Sequence, residues 1–169
     1  MTLEGECFDD LYAAHFGPLT VQVYAFVGEL TEAQDLVQEA FSRAWERWDR
    51  IAGYEDPVGW VRRVAWNLAV SRWRRMRTAA LFLRREPAPL VAGPEPDRVV
   101  LVRALSRIPA DQRRALVLYH MADLSVPQIA DQCGVAEGTV RSWLHRGRVA
   151  LAARLESDGA APMHEDGAR

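Results

Sequence analysis

The chain of 169 residues contains no lysine, and all 21 of its basic residues are arginine, which a GC-rich genome explains as readily as a function does. It has two cysteines, Cys7 and Cys133, with neither a CxxC pair nor a neighbouring histidine, so neither a disulfide framework nor a zinc site is expected. The longest apolar stretch, around residues 19–30, is too short to span a bilayer. Because the N-terminus is also acidic, we expect no secretory signal and no membrane insertion, and a cytoplasmic location.

Catalytic motifs are missing as well. The sequence has no Gly-rich phosphate loop, no HExxH and no cluster of His, Cys and carboxylate residues, and its four histidines show no ligand spacing. We therefore expect neither an enzyme nor a bound cofactor or metal. No stretch alternates polar and apolar residues convincingly enough for a β-strand, so the sequence predicts an all-α fold.

The net charge is −2, whereas nucleic-acid binders usually carry an excess of basic residues. This total hides a strong segregation of acidic and basic residues along the chain. Residues 1–57 carry a net charge of −9, residues 58–86 carry +7, and residues 98–156 carry +4. Within the first part of the chain, an acidic first half and a basic second half indicate one domain with two different partners.

The apolar periodicity divides the chain into two small helical domains. A stripe from Leu36 to Trp48 recurs at helical spacing, with Thr31 as its expected N-cap, and a second helix is expected after Asp56-Pro57. Residues 78–97 hold a run of prolines and are predicted to form an extended linker. The predicted organisation is one domain over residues 1–77, the linker, a second domain over residues 98–156, and a disordered tail over residues 157–169.

The segment from Ser125 to Arg148 carries the pattern of a helix-turn-helix. Ser125 can cap a short helix, Gly134 falls where the turn needs a positive φ, and either Trp143 or Leu144 completes the inward face of the second helix. That second helix would lie in the major groove of duplex DNA. An ordinary helical hairpin with solvated arginines is the alternative interpretation of this segment.

The segment from Trp60 to Arg77 holds six arginines and three tryptophans without an acidic residue. On a helix these side chains flank an apolar stripe, an arrangement that suits single-stranded nucleic acid, because rings stack on bases and guanidinium groups hold phosphates. The alternative is that the tryptophans are core residues, and we expect at least two of the three to lie partly in the domain interior.

At this point the residues resemble a known family. The segment Asp35–Trp45 resembles the region 2.1–2.2 helix of bacterial sigma factors, and Pro57–Arg75 resembles regions 2.3–2.4. The segment with Ile108-Pro109 and Gln112-Arg113 and the helix with Thr139-Val-Arg-Ser resemble region 4. The chain is identified as a member of the extracytoplasmic-function (ECF) group, of the actinobacterial type.

The resemblance implies a function and a set of site residues. Such proteins bind core RNA polymerase and direct it to promoters, and a cognate anti-sigma protein is common among them. The implied contacts to the polymerase, chiefly to the β′ clamp helices with the β subunit as a further partner, are Asp35, Leu36, Gln38, Glu39, Ser42 and Arg43. The implied contacts to the melted −10 element of promoter DNA are Trp60, Arg62, Arg63, Trp66, Asn67, Arg74 and Arg75. Those to the −35 element are Glu137, Gly138, Thr139, Arg141, Ser142, His145, Arg146 and Arg148.

Two other functions stay open at this stage. A helix-turn-helix repressor or activator, not bound stably to core polymerase, would explain residues 98–156 but would leave the Arg/Trp helix without a purpose. A helical interaction module such as an adaptor is the third possibility.

Overall fold

The computed structural model describes residues 7–83 and 96–159, and these two ranges form eight α-helices and no β-strand. In chain order the helices are α1 (Phe8–Val27), α2 (Leu30–Trp45), α3 (Trp48–Ile51), α4 (Pro57–Leu83), α5 (Pro96–Ser106), α6 (Ala110–His120), α7 (Val126–Cys133) and α8 (Glu137–Gly159). The predicted all-α fold is confirmed. None of the described helices is long and apolar enough to cross a membrane.

Helix α2 begins earlier than the sequence predicts. Its N-cap is Glu29, whose carboxylate accepts hydrogen bonds from the backbone N–H groups of Thr31 at 2.8 Å and Glu32 at 2.7 Å. The prediction of Thr31 as the cap is therefore wrong. Because α1 ends at Val27, the chain can enter α2 two residues sooner, and the N–H of Thr31 becomes one of the groups that need a cap.

Helix α4 begins at Pro57, where the sequence predicts it. Its first turn is closed by Asp56, whose Oδ1 accepts a hydrogen bond from the N–H of Gly59 at 2.7 Å. The helix runs to Leu83 and so enters the segment predicted as the linker, and α5 begins within that segment at Pro96. The rest of the predicted linker, residues 84–95, and most of the predicted tail, residues 160–169, lie outside the described residues.

The helix-turn-helix forms as predicted. Ser125 and Gln128 make a reciprocal capping box at the start of α7, and Gly134 ends that helix in the left-handed region with φ of 69°. Val140 and Leu144 are buried in the first turns of α8, whereas Trp143 is only half-buried, so Leu144 completes the inward face. Helix α8 has 23 residues and continues beyond Arg148, the last of the residues predicted to contact the −35 element.

Each half of the chain buries its own set of apolar side chains, and the two sets are in contact. In the first half α1, α2 and α4 enclose the large side chains Leu11, Phe26, Phe41, Val61 and Trp66. In the second half α5 to α8 enclose Val102, Leu118, Ile129, Val140 and Leu144. Because α1 also contacts α5 and α6, the buried residues of both halves form one continuous cluster.

Candidate nucleic-acid interfaces

Helix α2 presents an accessible polar face. Its buried positions, among them Val37 and Phe41, turn toward α1 and α4, which leaves the opposite side in solvent. Of the six residues predicted to contact the polymerase, Leu36 is half-buried and the others are exposed: Asp35, Gln38, Glu39, Ser42 and Arg43. Spacings of three and four residues bring these side chains together on one face.

Two hydrogen bonds order this face. The carboxylate of Glu39 accepts from Nε of Arg43 at 2.8 Å, and Oε1 of Gln38 accepts from the hydroxyl of Tyr12 at 2.9 Å. The first is an exposed ion pair within one helix and contributes little to stability. Its main consequence is that an acidic and a basic group lie side by side on an exposed surface.

The residues predicted to bind the −10 element lie along α4 between positions 60 and 75 and differ in their exposure. Four of them are exposed, namely Arg63, Asn67, Arg74 and Arg75, and Trp60 and Arg62 are half-buried. Trp66 is fully buried, so the expectation that it contacts DNA does not fit this structure. It lies on the same stripe as the buried residues Ala65 and Ala69, and its ring meets that of Phe26 at 5.3 Å.

The tryptophans of α4 are therefore core residues in part, which was the alternative to a role in stacking on bases. With Trp66 buried and Trp60 and Trp73 half-buried, at least two of the three lie partly in the interior, as expected. Trp73 also carries the guanidinium of Arg77 over its ring at 5.3 Å. The exposed surface of α4 therefore offers arginine side chains to a partner more than it offers aromatic rings.

The loop before α4 depends on a close approach at Gly59. A Cβ atom on Gly59 would collide with the carboxylate of Asp56, the group that caps the helix. The same carboxylate lies 3.5 Å from Nη2 of Arg62. Asp56 thus holds both the helix start and one of the predicted DNA-binding arginines.

Substituting alanine for Gly59 is expected to lower the free energy of unfolding by about 1 kcal/mol, the usual cost of losing an N-cap. Asp56 has to leave the helix end to make room for the methyl group. Urea denaturation measures the change, with Gly138→Ala as the matched control. No atom lies near a Cβ at Gly138, so that variant should gain up to about 1 kcal/mol. Equal effects in both variants would contradict the role given to Asp56.

Helix α8 carries the residues predicted to bind the −35 element on its outer face. Thr139 is half-buried and the other seven are exposed: Glu137, Gly138, Arg141, Ser142, His145, Arg146 and Arg148. Glu137 and Arg141 pair at 2.7 Å, and the guanidinium of Arg148 lies 5.3 Å from the ring of Tyr119. The face is therefore accessible and mostly basic.

Sequence reasoning missed the part played by two arginines of α6. Arg113 is only 5% exposed, and its Nη1 donates to the carbonyl oxygen of Phe26 at 2.6 Å. Burial lowers the pKa of Arg113 to about 10, and burial also lowers the pKa of Arg114. The signal was the helical spacing, because Arg113 shares its face with Leu116 and Val117, which are both buried.

A three-helix bundle with a basic, partly aromatic helix, followed by a helix-turn-helix with an exposed second helix, defines an all-α DNA-binding protein. The sequence families described as "Sigma-70 region 2" and "Sigma-70, region 4" match residues 11–78 and 98–151. The chain belongs to the ECF group of RNA polymerase sigma factors of the sigma-70 family. It binds core RNA polymerase and directs transcription initiation at specific promoters.

Relatives that are named as RNA polymerase sigma factors support the assignment to this family. The RNA polymerase sigma-E factor of Streptomyces avermitilis is 33% identical over 134 residues, which cover 78% of this chain and 75% of that protein. The ECF RNA polymerase sigma factor SigL of Mycobacterium tuberculosis is 30% identical over 157 residues, covering 88% of this chain and 89% of that protein. Proteins of this family regulate transcription and are not known as enzymes.

Two solved structures show the same fold. The sigma factor RpoE of Bartonella quintana, solved with the anti-sigma factor NepR, has a TM-score of 0.75 at 23% identity and covers 89% of this chain and 98% of that one. CnrH, solved with the cytosolic domain of CnrY, has a TM-score of 0.65 at 24% identity and covers 89% of this chain and 88% of that one.

Proposed function

We propose that the two domains of this sigma factor divide the work between three separate faces. We assign region 2 to residues 1–77, the link to residues 78–97, region 4 to residues 98–156 and a tail to residues 157–169. Helices α4, α5 and α8 each continue a few residues beyond these limits. The proposal is carried by one observation on the described residues. They present one accessible face on α2, within the acidic segment 1–57, and another on α8, within the basic segment 98–156.

The face on α2 is the proposed contact to the β′ clamp helices of core polymerase. Its exposed residues include Asp35, Glu39 and Arg43, so it combines acidic groups with a single ordered ion pair. A mixed polar face of this kind sets orientation and partner choice more than raw affinity. The large, fixed complex then holds both promoter-binding domains at a set distance, which raises their joint affinity for DNA.

The face on α4 is the proposed contact to the −10 element. Arg63, Asn67, Arg74 and Arg75 are exposed, with Trp60 and Arg62 beside them. Separating and unstacking bases costs a few kcal/mol per step, and contacts to the bases and to strand phosphates offset that cost. We omit Trp66 from this face because it is buried.

The face on α8 is the proposed contact to the −35 element. A helix of this kind enters the major groove with its N-terminal residues on base edges. Arg141 and His145 follow Glu137 at helical spacing and are exposed, which supports the proposal that they reach bases. The proposed role of the exposed Arg146 and Arg148 is to bind phosphates.

The remaining assignments follow from this role. We propose that the chain is not itself an enzyme and that it works in the cytoplasm, where core polymerase is. An anti-sigma protein is a further proposed partner, since the sigma factor RpoE of Bartonella quintana was solved with the anti-sigma factor NepR.

Run-off transcription with purified core polymerase and a pool of genomic fragments tests the proposed function. Adding the chain should produce transcripts with fixed start sites that core polymerase alone does not make. A repressor or activator that does not join the polymerase would bind some fragments but start no new transcript on core polymerase alone. The absence of any promoter-dependent transcript would overturn the proposal.

A further inference from the structure

The glycines inside the described helices differ in what a side chain would meet in their place. Glycine weakens a helix, so its presence there calls for a reason. Gly17 stands directly before the proline inside α1, and a proline ring crowds the Cβ atom of the residue before it. A Cβ atom on Gly59 would collide with Asp56, and one on Gly147 would lie 3.1 Å from Cδ1 of Leu116, where α8 packs on α6. The fold itself therefore accounts for these three glycines.

Gly138, in the first turn of α8, has no such reason in the fold. Within the described ranges no atom lies within 4 Å of a Cβ atom built on it. Its φ is not in the left-handed region, and no proline follows it. The fold would accept alanine here and gain helix stability. The missing side chain therefore has its consequence at the surface, where a partner can approach the backbone more closely.

Position 138 points away from the core of region 4. With about 3.6 residues per turn, it lies on the side of α8 opposite the buried residues Val140 and Leu144. Ser142 and His145, four and seven residues further on, lie on the same side and belong to the face proposed for the −35 element. Gly138 is thus at the N-terminal end of that face, which is the end that a recognition helix brings closest to base edges.

The neighbouring side chains leave the gap at Gly138 open. Glu137 is held by Arg141 in an ion pair of 2.7 Å on one flank of the position. Because Arg141 follows one turn later, the pair draws the carboxylate along the helix and not across Gly138. Ser142, a short side chain, borders the other flank. The gap differs from an alanine surface by one methyl group.

A methyl group is also what one DNA base projects into the major groove. The 5-methyl of thymine is the apolar group that a base pair presents there, beside its hydrogen-bond donors and acceptors. Position 138 has no side chain that could donate or accept a hydrogen bond, so it can distinguish bases only by shape. An alanine methyl and a thymine methyl would compete for the same space, whereas glycine lets the Cα atom contact the thymine methyl directly.

We propose that Gly138 is a specificity-determining residue of the −35 face, and that its missing side chain receives the 5-methyl group of a thymine in the major groove. This inference rests on the −35 face proposed above. It adds to that face a position that selects a base pair by shape, beside the residues proposed to reach bases and phosphates with their side chains.

A methyl group can be added to the protein and removed from the DNA, and the two changes together test the proposal. The protein change is Gly138→Ala in the full chain, assembled with core polymerase. The DNA is a promoter recovered by the run-off experiment, synthesised as two duplexes that carry either thymine or uracil throughout the −35 segment. Uracil lacks the methyl group and keeps the base pair. Competition binding measures the affinity of each holoenzyme for each duplex.

The expected result is a reversed preference. The unsubstituted chain should bind the thymine duplex about fourfold more tightly than the uracil duplex, the worth of one buried methylene-sized group. Gly138→Ala should bind the thymine duplex about tenfold more weakly than the unsubstituted chain does, comparable to one mismatched base pair. It should bind the uracil duplex more tightly than the thymine duplex, because the two methyl groups no longer compete.

Two controls separate this effect from a loss of fold. Gly17→Ala adds the same methyl group on α1, outside the proposed faces, and should keep the preference for thymine. Urea denaturation of Gly138→Ala should give a midpoint no lower than that of the unsubstituted chain, since nothing in the described fold meets the added methyl. A weaker affinity for DNA then comes from the contact itself.

The outcomes separate the inference from the function it rests on. Equal affinity of Gly138→Ala and the unsubstituted chain for the thymine duplex would overturn the inference. An equal loss on both duplexes would overturn it too, because alanine would then hinder binding without regard to the thymine methyl. Failure of the −35 face itself shows separately, as normal promoter binding by Arg141→Ala, and failure of the proposed function shows as the absence of any promoter in the run-off experiment.

Discussion

Substituting alanine for Trp66 is expected to lower the free energy of unfolding by about 3–5 kcal/mol, as for other large aromatic residues removed from a core. Trp66 is fully buried, its ring meets Phe26 edge-on, and Arg114 lies over its face. The substitution leaves a cavity that touches both domains. Urea denaturation followed by circular dichroism measures the change.

Trp45→Ala is the matched control for this prediction. Trp45 is the same residue type but is 62% exposed, so its removal should cost less than about 1 kcal/mol. If Trp66→Ala keeps normal stability and loses only promoter opening, then Trp66 contacts DNA and its burial does not describe the working state. If the two variants lose equal stability, the assignment of Trp66 to the core is wrong.

Charge reversal on α2 should weaken polymerase binding and leave DNA binding intact. Glu39→Arg places a second cation beside Arg43 on the proposed polymerase face and should weaken affinity for core polymerase by about tenfold. Asp10→Arg, an exposed acidic residue of α1 with the same change of charge, is the control. A competition assay with labelled chain measures the affinity, and equal losses in both variants would show that only net charge matters.

Alanine at Arg63 should give the opposite pattern. Affinity for core polymerase should stay unchanged, while promoter opening, followed by permanganate reactivity of unpaired thymines, should fall by about tenfold, as when one charge-assisted hydrogen bond is lost. Arg50→Ala, an exposed arginine of α3 outside the proposed faces, is the control. If Glu39→Arg and Arg63→Ala fail at the same step, region 2 is not divided as proposed.

Much of the fold could be predicted from local sequence. The helix-turn-helix was predictable because Ser125, Gly134 and Val140 act within their own helix or turn, where a cap, a positive φ and a periodic apolar position leave few alternatives. The start of α4 at Pro57 follows the same logic. The start of α2 did not, because Glu29 is an N-cap by side-chain reach rather than by residue preference.

The candidate site was less predictable, because burial between domains is not a local property. Trp66 and Arg63 are three positions apart on a basic helix, yet one is fully buried and the other exposed. The sequence pattern places both residues beside an apolar stripe, but it does not determine how much of the helix surface around that stripe is buried. The width is decided by the packing of the Trp66 ring against Phe26 of α1 and by the approach of Arg114 from α6.

The structure also accounts for part of the acidic charge in residues 1–57. Glu29 and Asp56 cap α2 and α4, and Glu32 pairs with Arg72 of α4. These three carboxylates serve the fold of region 2 itself. The acidic segment is therefore only partly available to a partner, and the face on α2 is less acidic than the net charge of −9 suggests.

The bond between Arg113 and Phe26 joins a side chain to a main-chain oxygen, and this has an evolutionary consequence. Almost every substitution at position 26 keeps the acceptor, whereas nearly any substitution at position 113 removes the donor. Inherited variation can therefore remove this hydrogen bond from one domain only. Among homologues, the hydrogen bond should be lost through changes at position 113 far more often than through changes at position 26.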